Sequence, residues 1–126
     1  MLTRDGISAV VTTTDNTSET ADVSIQFYGA SEEKLAEPVV IQWFLTTDAG
    51  AQTLATDATD ISEIAIKTNG AILCEHTTDV IGMAVTEATG LIDFTVTVVT
   101  TKQAVLNIVL PNGKLAQSAV MSYTAG

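Results

Sequence analysis

Apolar and polar residues alternate along most of this chain with the period of two that a half-buried strand requires, and no segment shows helical spacing. The pattern is clearest after Leu91, in LIDFTVTVVT, AVLNIVL and KLAQSAVMSYT, the last two separated by Pro111-Asn112-Gly113. Asn-Gly is the strongest short-range hairpin signal, because a two-residue type I′ turn needs positive φ at both central positions. Centred on Asn112-Gly113, that turn sets Leu110 against Leu115, Leu106 against Ala119 and Ala104 against Met121. Gln117 opposite Ile108 is the polar exception on this face, and Asn107 pairs with Ser118 on the other.

The same reading extends upstream. Ile7, Ala9 and Val11 suggest a first strand, and Thr12 to Thr20 a polar loop. Ala21 to Gly29 is a strand with Val23, Ile25 and Phe27 on its inner face and Tyr28 on its outer one. Ala30 to Glu37 is polar, with room for one helical turn before Pro38. Val39 to Thr47 is apolar on both faces: Val39, Ile41, Trp43 and Leu45 on one, Val40 and Phe44 on the other. Such a strand is central in its sheet, or covered by a partner. Asp48 to Asp60 reads as a long loop. Ile61 to Lys67 and Ala71 to Thr77 flank Asn69-Gly70 and suggest a second hairpin. Val80 to Thr86 is a short strand, and Glu87 to Gly90 a turn. About eight short strands at regular spacing, rich in β-branched residues, predict an all-β, immunoglobulin-like antiparallel β-sandwich over residues 1–126 as a single domain.

Composition narrows the function. The 126 residues are 46% hydrophobic and only 16% charged, against about 25% in ordinary globular chains. Mean hydropathy is +0.33, yet no run approaches the ~18 apolar residues of a membrane span. That combination fits surface buried in an oligomer or larger assembly; a monomer whose exposed strand faces carry Thr, Ser and Gln is the alternative. Net charge is −10, with five basic residues. This argues against a nucleic-acid partner, which needs a basic patch, and against an anionic membrane surface. The one cysteine, Cys74, permits no intramolecular disulfide, and no basic n-region with a long apolar h-region opens the chain. Synthesis in a reducing cytoplasm is expected.

No motif announces a chemistry. Cys74, Glu75, His76 and Asp79 invite a zinc reading, but the chain holds no second Cys or His, and structural zinc takes four such ligands. Cys74 and His76 stand about 7 Å apart along a strand, too far for a nucleophile–base pair. Asp48, Asp57, Asp60 and Glu63 lack the alternating spacing of a calcium loop. Glu32, Glu33 and Glu37 sit beside Lys34 in a polar stretch that suits solvent better than a sugar cleft. Trp43 is similar to the buried tryptophan of immunoglobulin-type sandwiches, without their cysteine pair. No catalytic residue, cofactor or metal is expected. Tyr28 and Phe44, on the opposite parity from the core residues of their strands, are the candidate assembly interface.

Three stretches carry a resemblance: YGASEEKLAEPVVIQWFLTTDAG from Tyr28, VTEATGLIDFTVT from Val85, and LNIVLPNGKLAQSAVMSY from Leu106. Their order resembles small immunoglobulin-like virion structural proteins of tailed bacteriophages, which decorate capsids or serve as accessory particle components. The resemblance implies a non-enzymatic chain made in the host cytoplasm and carried in the virion. It implies a capsid or other virion protein as partner, and a homo-oligomer. The alternative is a module of tail or fibre that binds a glycan or host receptor through the Thr12–Thr20 and Asp48–Asp60 loops, although neither loop has an aromatic residue for sugar stacking.

Overall fold

A computed structural model of the chain describes residues 7–15, 20–29, 32–99, 102–110 and 113–122. Its elements are all strands: β1 (Ser8–Asp15), β2 (Thr20–Tyr28), β3 (Val40–Thr46), β4 (Ile61–Ile66), β5 (Ala71–Thr77), β6 (Ile81–Val85), β7 (Leu91–Val98), β8 (Gln103–Val109), β9 (Leu115–Gln117) and β10 (Met121–Ser122). They form two antiparallel sheets. One has the order β1-β2-β7-β4; the other runs β10-β8-β3-β6-β5, with β9 also paired to β8. The predicted all-β sandwich is therefore the observed architecture.

Alternation builds the core. β2 contributes Val23, Ile25 and Phe27 and β7 contributes Ile92, Phe94 and Val96, all fully buried. They face Ile41, Trp43 and Leu45 of β3 and Leu106 and Ile108 of β8. Each such side chain contributes about 1.5–3 kcal/mol on leaving water. Trp43 meets Phe94 across the sheets at 6.1 Å between ring centroids, tilted by 58°. The register partner of Trp43 on β6 is Gly82, where a Cβ would lie 2.6 Å from the indole Cζ2. The indole is accommodated because that position has no side chain.

In space, the two sheets match the A-B-E-D and G-F-C-C′-C″ strands of an immunoglobulin variable domain, with Trp43 on the strand in the C position. The middle of the chain departs from that path. β4 crosses to the first sheet before β5 and β6 are made, so the outer pair of the second sheet is laid down edge strand first.

The segment at Asn69-Gly70 is accordingly a crossover and not a hairpin: β4 pairs with β7, and β5 with β6. Asp93 of β7 decides this. Its Oδ1 accepts the Thr68 and Asn69 N–H groups, both at 2.8 Å, and its Oδ2 accepts Asn69 Nδ2 at 3.0 Å. The chain is held along β7 past the point where a hairpin would fold back. Gly70, at φ +100°, then drops it past Ile92, whose Cγ1 would lie 2.7 Å from any Cβ there.

The C-terminal hairpin forms, but one residue out of the expected register. Asn107 faces Gln117, Ile108 faces Ala116 and Val109 faces Leu115. Pro111 and Asn112 lie outside the described residues. The Leu110 N–H donates to the Lys114 carbonyl and the Gly113 N–H to the Leu110 carbonyl, both at 2.8 Å, closing a three-residue loop with Gly113 at φ +86°. A two-residue loop would make Pro111 the donor to Lys114, and proline has no N–H. The slip is undone after Ser118, which exchanges bonds with Leu106. One extra residue there splits the strand into β9 and β10, and Met121 faces Ala104 as the sequence register requires. The expected Leu110–Leu115, Leu106–Ala119, Ile108–Gln117 and Asn107–Ser118 pairs do not form.

Among the described residues after β2, 32–37 form no helical turn. Lys34 bridges back to Tyr28, and Leu35 buries itself beneath this loop.

Candidate functional site

The outer face of the six-stranded sheet is the most distinctive surface among the described residues. Strand register lays its outward positions in rows. One row runs Leu115, Val109, Gln42, Met83, Cys74 across β9, β8, β3, β6 and β5. The next runs Gln117, Asn107, Phe44, Ile81, Thr77 over the same strands. A shorter row joins Val40, Val85 and Ala71. No residue in these rows is charged. Glu75 is the single charged residue in all the strands of this sheet, whereas the strands of the other sheet carry Asp15, Asp22, Glu63 and Asp93. Val40, Met83 and Leu115 are between 42% and 52% exposed, which is high for apolar side chains on one surface.

One end of this face is closed. Asn107 is fully buried: its Nδ2 donates to Thr46 Oγ1 at 3.0 Å, to the Val105 carbonyl at 3.2 Å and to the Phe44 carbonyl at 3.3 Å. Its Oδ1 accepts Gln117 Nε2 at 2.7 Å, and the same amide donates to the Ala49 carbonyl at 2.9 Å. The start of the Asp48–Asp60 loop is thereby drawn over the Thr46 end of β3. The open part of the face extends from Phe44 toward Val40 and outward to β5.

The two interface candidates separate. Phe44 belongs to this face and is half-buried in the row that ends it at Asn107. Tyr28 projects from the outer face of the other sheet, where it lines a cavity of about 230 Å³ with Ser8, Val10 and Glu32. They cannot contribute to one flat contact.

Cys74 and His76 do share a setting. With Gln42, Ile81, Gly82 and Met83 they line a cavity of about 380 Å³ at the β5 edge of the uncharged face. Asp79 is not part of it. From the β5–β6 turn, at φ +58°, its Oδ1 reaches β4 of the other sheet and accepts the Ile64 N–H at 3.3 Å. Burial pushes the Asp79 carboxyl up from its ordinary pKa, the Ile64 N–H opposes this, and the Asp57 and Glu63 charges add to the rise.

The loop acids are employed locally. Asp48 Oδ1 accepts the Gln52 and Thr53 N–H groups and Asp60 Oδ2 that of Thr56. Glu32, Glu33 and Glu37 are exposed after β2, with Glu32 at φ +62°. Among the described residues no three His, Cys, Asp or Glu side chains converge in a geometry that would hold a metal ion.

Neither the protein-family models nor the curated proteins contain a match to this chain.

Parity along β3 singles out Phe44, but Met83, Val109 and Leu115 join it only once four strands are aligned. Nothing local in the sequence marks them.

Proposed function

We propose that this chain is a non-enzymatic structural subunit of a phage particle, a capsid decoration or accessory protein. In this reading it docks onto a shell subunit through the outer face of its six-stranded sheet. The observation that carries this is the segregation of charge. A chain of net charge −10 keeps three adjoining rows of one sheet face free of any ionised group while leaving Val40, Met83 and Leu115 about half exposed. Depletion of charge with enrichment in apolar side chains and Met marks the centre of a protein–protein contact. Burying such a face stabilises by roughly 25 cal/mol per Å² before association costs are subtracted. The resemblance of the Tyr28, Val85 and Leu106 stretches to phage virion proteins supplies the kind of partner. An uncharged face also lets copies approach with their acidic groups turned away, which supports a homo-oligomer on the particle.

The alternative, recognition of a glycan or receptor through loops, has one observation in its favour. The register places Thr20, the first residue of β2, beside Thr97 and Ile61, the first residue of β4, beside Val98, so the ends of β2 and β4 that adjoin the two loops lie at one end of the sandwich.

Quantitative mass spectrometry of gradient-purified particles tests the first reading. The expected content is on the order of tens to hundreds of copies per particle. Met83→Lys and Phe44→Asp should lower that content while the isolated domain melts nearly as the parent does. A few copies per particle would favour the loop reading, and complete absence would end the virion assignment.

A further inference from the structure

We propose that Cys74, His76 and Met83 form a surface site for one soft monovalent cation of the copper(I) or silver(I) class. The sequence offers Cys74 and His76 alone, too few donors for zinc, which closes a tetrahedral shell of four. The fold adds the third. Met83 is the direct cross-strand partner of Cys74, and a pair directly opposite across two strands has its Cβ atoms only about 5 Å apart. His76 lines the same cavity of about 380 Å³, whose wall also includes Gln42 and Ile81.

The backbone here is specialised as well. β5 is bulged twice, between Ile72 and Cys74 and between Glu75 and Thr77, so His76 is the extra residue of the second bulge. Bulges in edge strands re-aim side chains and are common beside functional sites. The donor set is thiolate, imidazole and thioether. Thiolate and thioether favour copper(I), which a low coordination number satisfies, whereas magnesium and calcium demand oxygen ligands. On binding, Cys74 Sγ releases its proton to solvent as the sulfur–metal bond forms, and His76 and Met83 donate lone pairs without proton transfer. Met121 is fully buried and cannot compete. The site belongs to the isolated chain and does not depend on the particle reading. It would be covered if the uncharged face docks, so the two are tested separately.

The experiment is anaerobic titration of the purified chain with copper(I), held reduced by ascorbate, against a chromophoric copper(I) chelator. One equivalent should transfer from the chelator to the protein, with a thiolate-to-metal charge-transfer band. Cys74→Ser should abolish transfer and the band. His76→Gln and Met83→Leu should each weaken affinity at least tenfold, and circular dichroism confirms that each variant folds. The proposal is overturned if His76→Gln and Met83→Leu bind like the parent, since an exposed thiol alone would then account for the metal. It is equally overturned by sub-stoichiometric transfer, or by two chains sharing one ion in sedimentation.

Discussion

Gly82→Ala should destabilise the sandwich although it adds a single methyl to a strand position with an ordinary backbone. The new Cβ would lie 2.6 Å from the Cys74 carbonyl oxygen, 2.6 Å from Trp43 Cζ2 and 2.8 Å from Trp43 Cε2. None of these can yield easily. The carbonyl belongs to the backbone of β5 between its two bulges, and the indole is fully buried against Phe94. Overpacking of this kind costs about 1–3 kcal/mol. The reduced freedom of the unfolded chain returns about 0.4–1 kcal/mol. The net loss is therefore about 1–2 kcal/mol, or roughly 3–8 °C in melting temperature for a domain of this size.

Thermal and urea melts followed by far-ultraviolet circular dichroism measure the effect, and a double-mutant cycle assigns it. Trp43→Phe removes the atoms that the new methyl strikes on one side, so Gly82→Ala should cost less in that background. A coupling of about 0.5–1.5 kcal/mol is expected, because the Cys74 carbonyl contact persists. Additive losses would show that the indole is not what excludes a side chain at position 82. A neutral or stabilised Gly82→Ala would refute the packing argument altogether.

Three further outcomes follow from the polar interior and the titrating groups. Asn107→Ala should cost about 2 kcal/mol in urea unfolding by dissolving a fully buried amide network, and should speed hydrogen exchange over Ala49–Thr53. Asp93→Ala should cost about 2 kcal/mol near neutrality. Burial pushes this carboxyl up, but the Asn69 and Thr68 N–H groups, the Asn69 amide and Lys67 together hold it below its ordinary pKa. Its stabilisation is therefore complete above the ordinary carboxylate pKa and disappears as pH falls through the lower folded value, so parent and variant melting curves should converge in acid. Asp79→Asn should act in the opposite sense. The folded Asp79 carboxyl titrates above its ordinary value, so its charge is penalised at neutral pH and relieved as pH drops through the folded value toward the ordinary one. The amide should give a small gain in melting temperature at pH 7 that vanishes on acidification, and a loss at pH 7 would show that the charged form is what holds Ile64.

What the sequence makes legible is whatever a single strand encodes. The inner faces of β2, β3 and β7 follow from alternation, because a strand packed on one side must place Val23, Ile25 and Phe27, or Ile41, Trp43 and Leu45, together. Pairing between strands is less accessible. The two Asn-Gly signals fare differently, for reasons that lie outside the dipeptide: at Asn112-Gly113 the hairpin forms but its register shifts, because the preceding proline has no N–H to close a two-residue loop, and at Asn69-Gly70 no hairpin forms, because a carboxylate from β7 holds the chain in the other sheet. The uncharged face needs all of those pairings at once, so parity along a strand identifies only Val40 and Phe44 of β3, and it places Tyr28 on an unrelated surface.

The edges of the two sheets explain why a face is the available surface for association. An open edge strand invites another strand to pair with it, and several features along these edges oppose that. β5 is bulged twice, which breaks the even spacing an incoming strand needs. The outward Ile64 N–H of β4 is taken by Asp79, which reaches across from the other sheet. On the opposite side, Thr13 of β1 accepts the Ala119 N–H and so joins the two sheets where β1 meets the C-terminal strand. With strand addition impeded at these points, and with the first sheet carrying acidic side chains, the outer face of the second sheet is where the proposed partner would remove apolar surface from water without desolvating a charge. Association through that face should therefore depend weakly on ionic strength, because no ion pair in its three rows would be screened. A strong fall in particle binding between low and high salt would place the contact on the acidic loops instead.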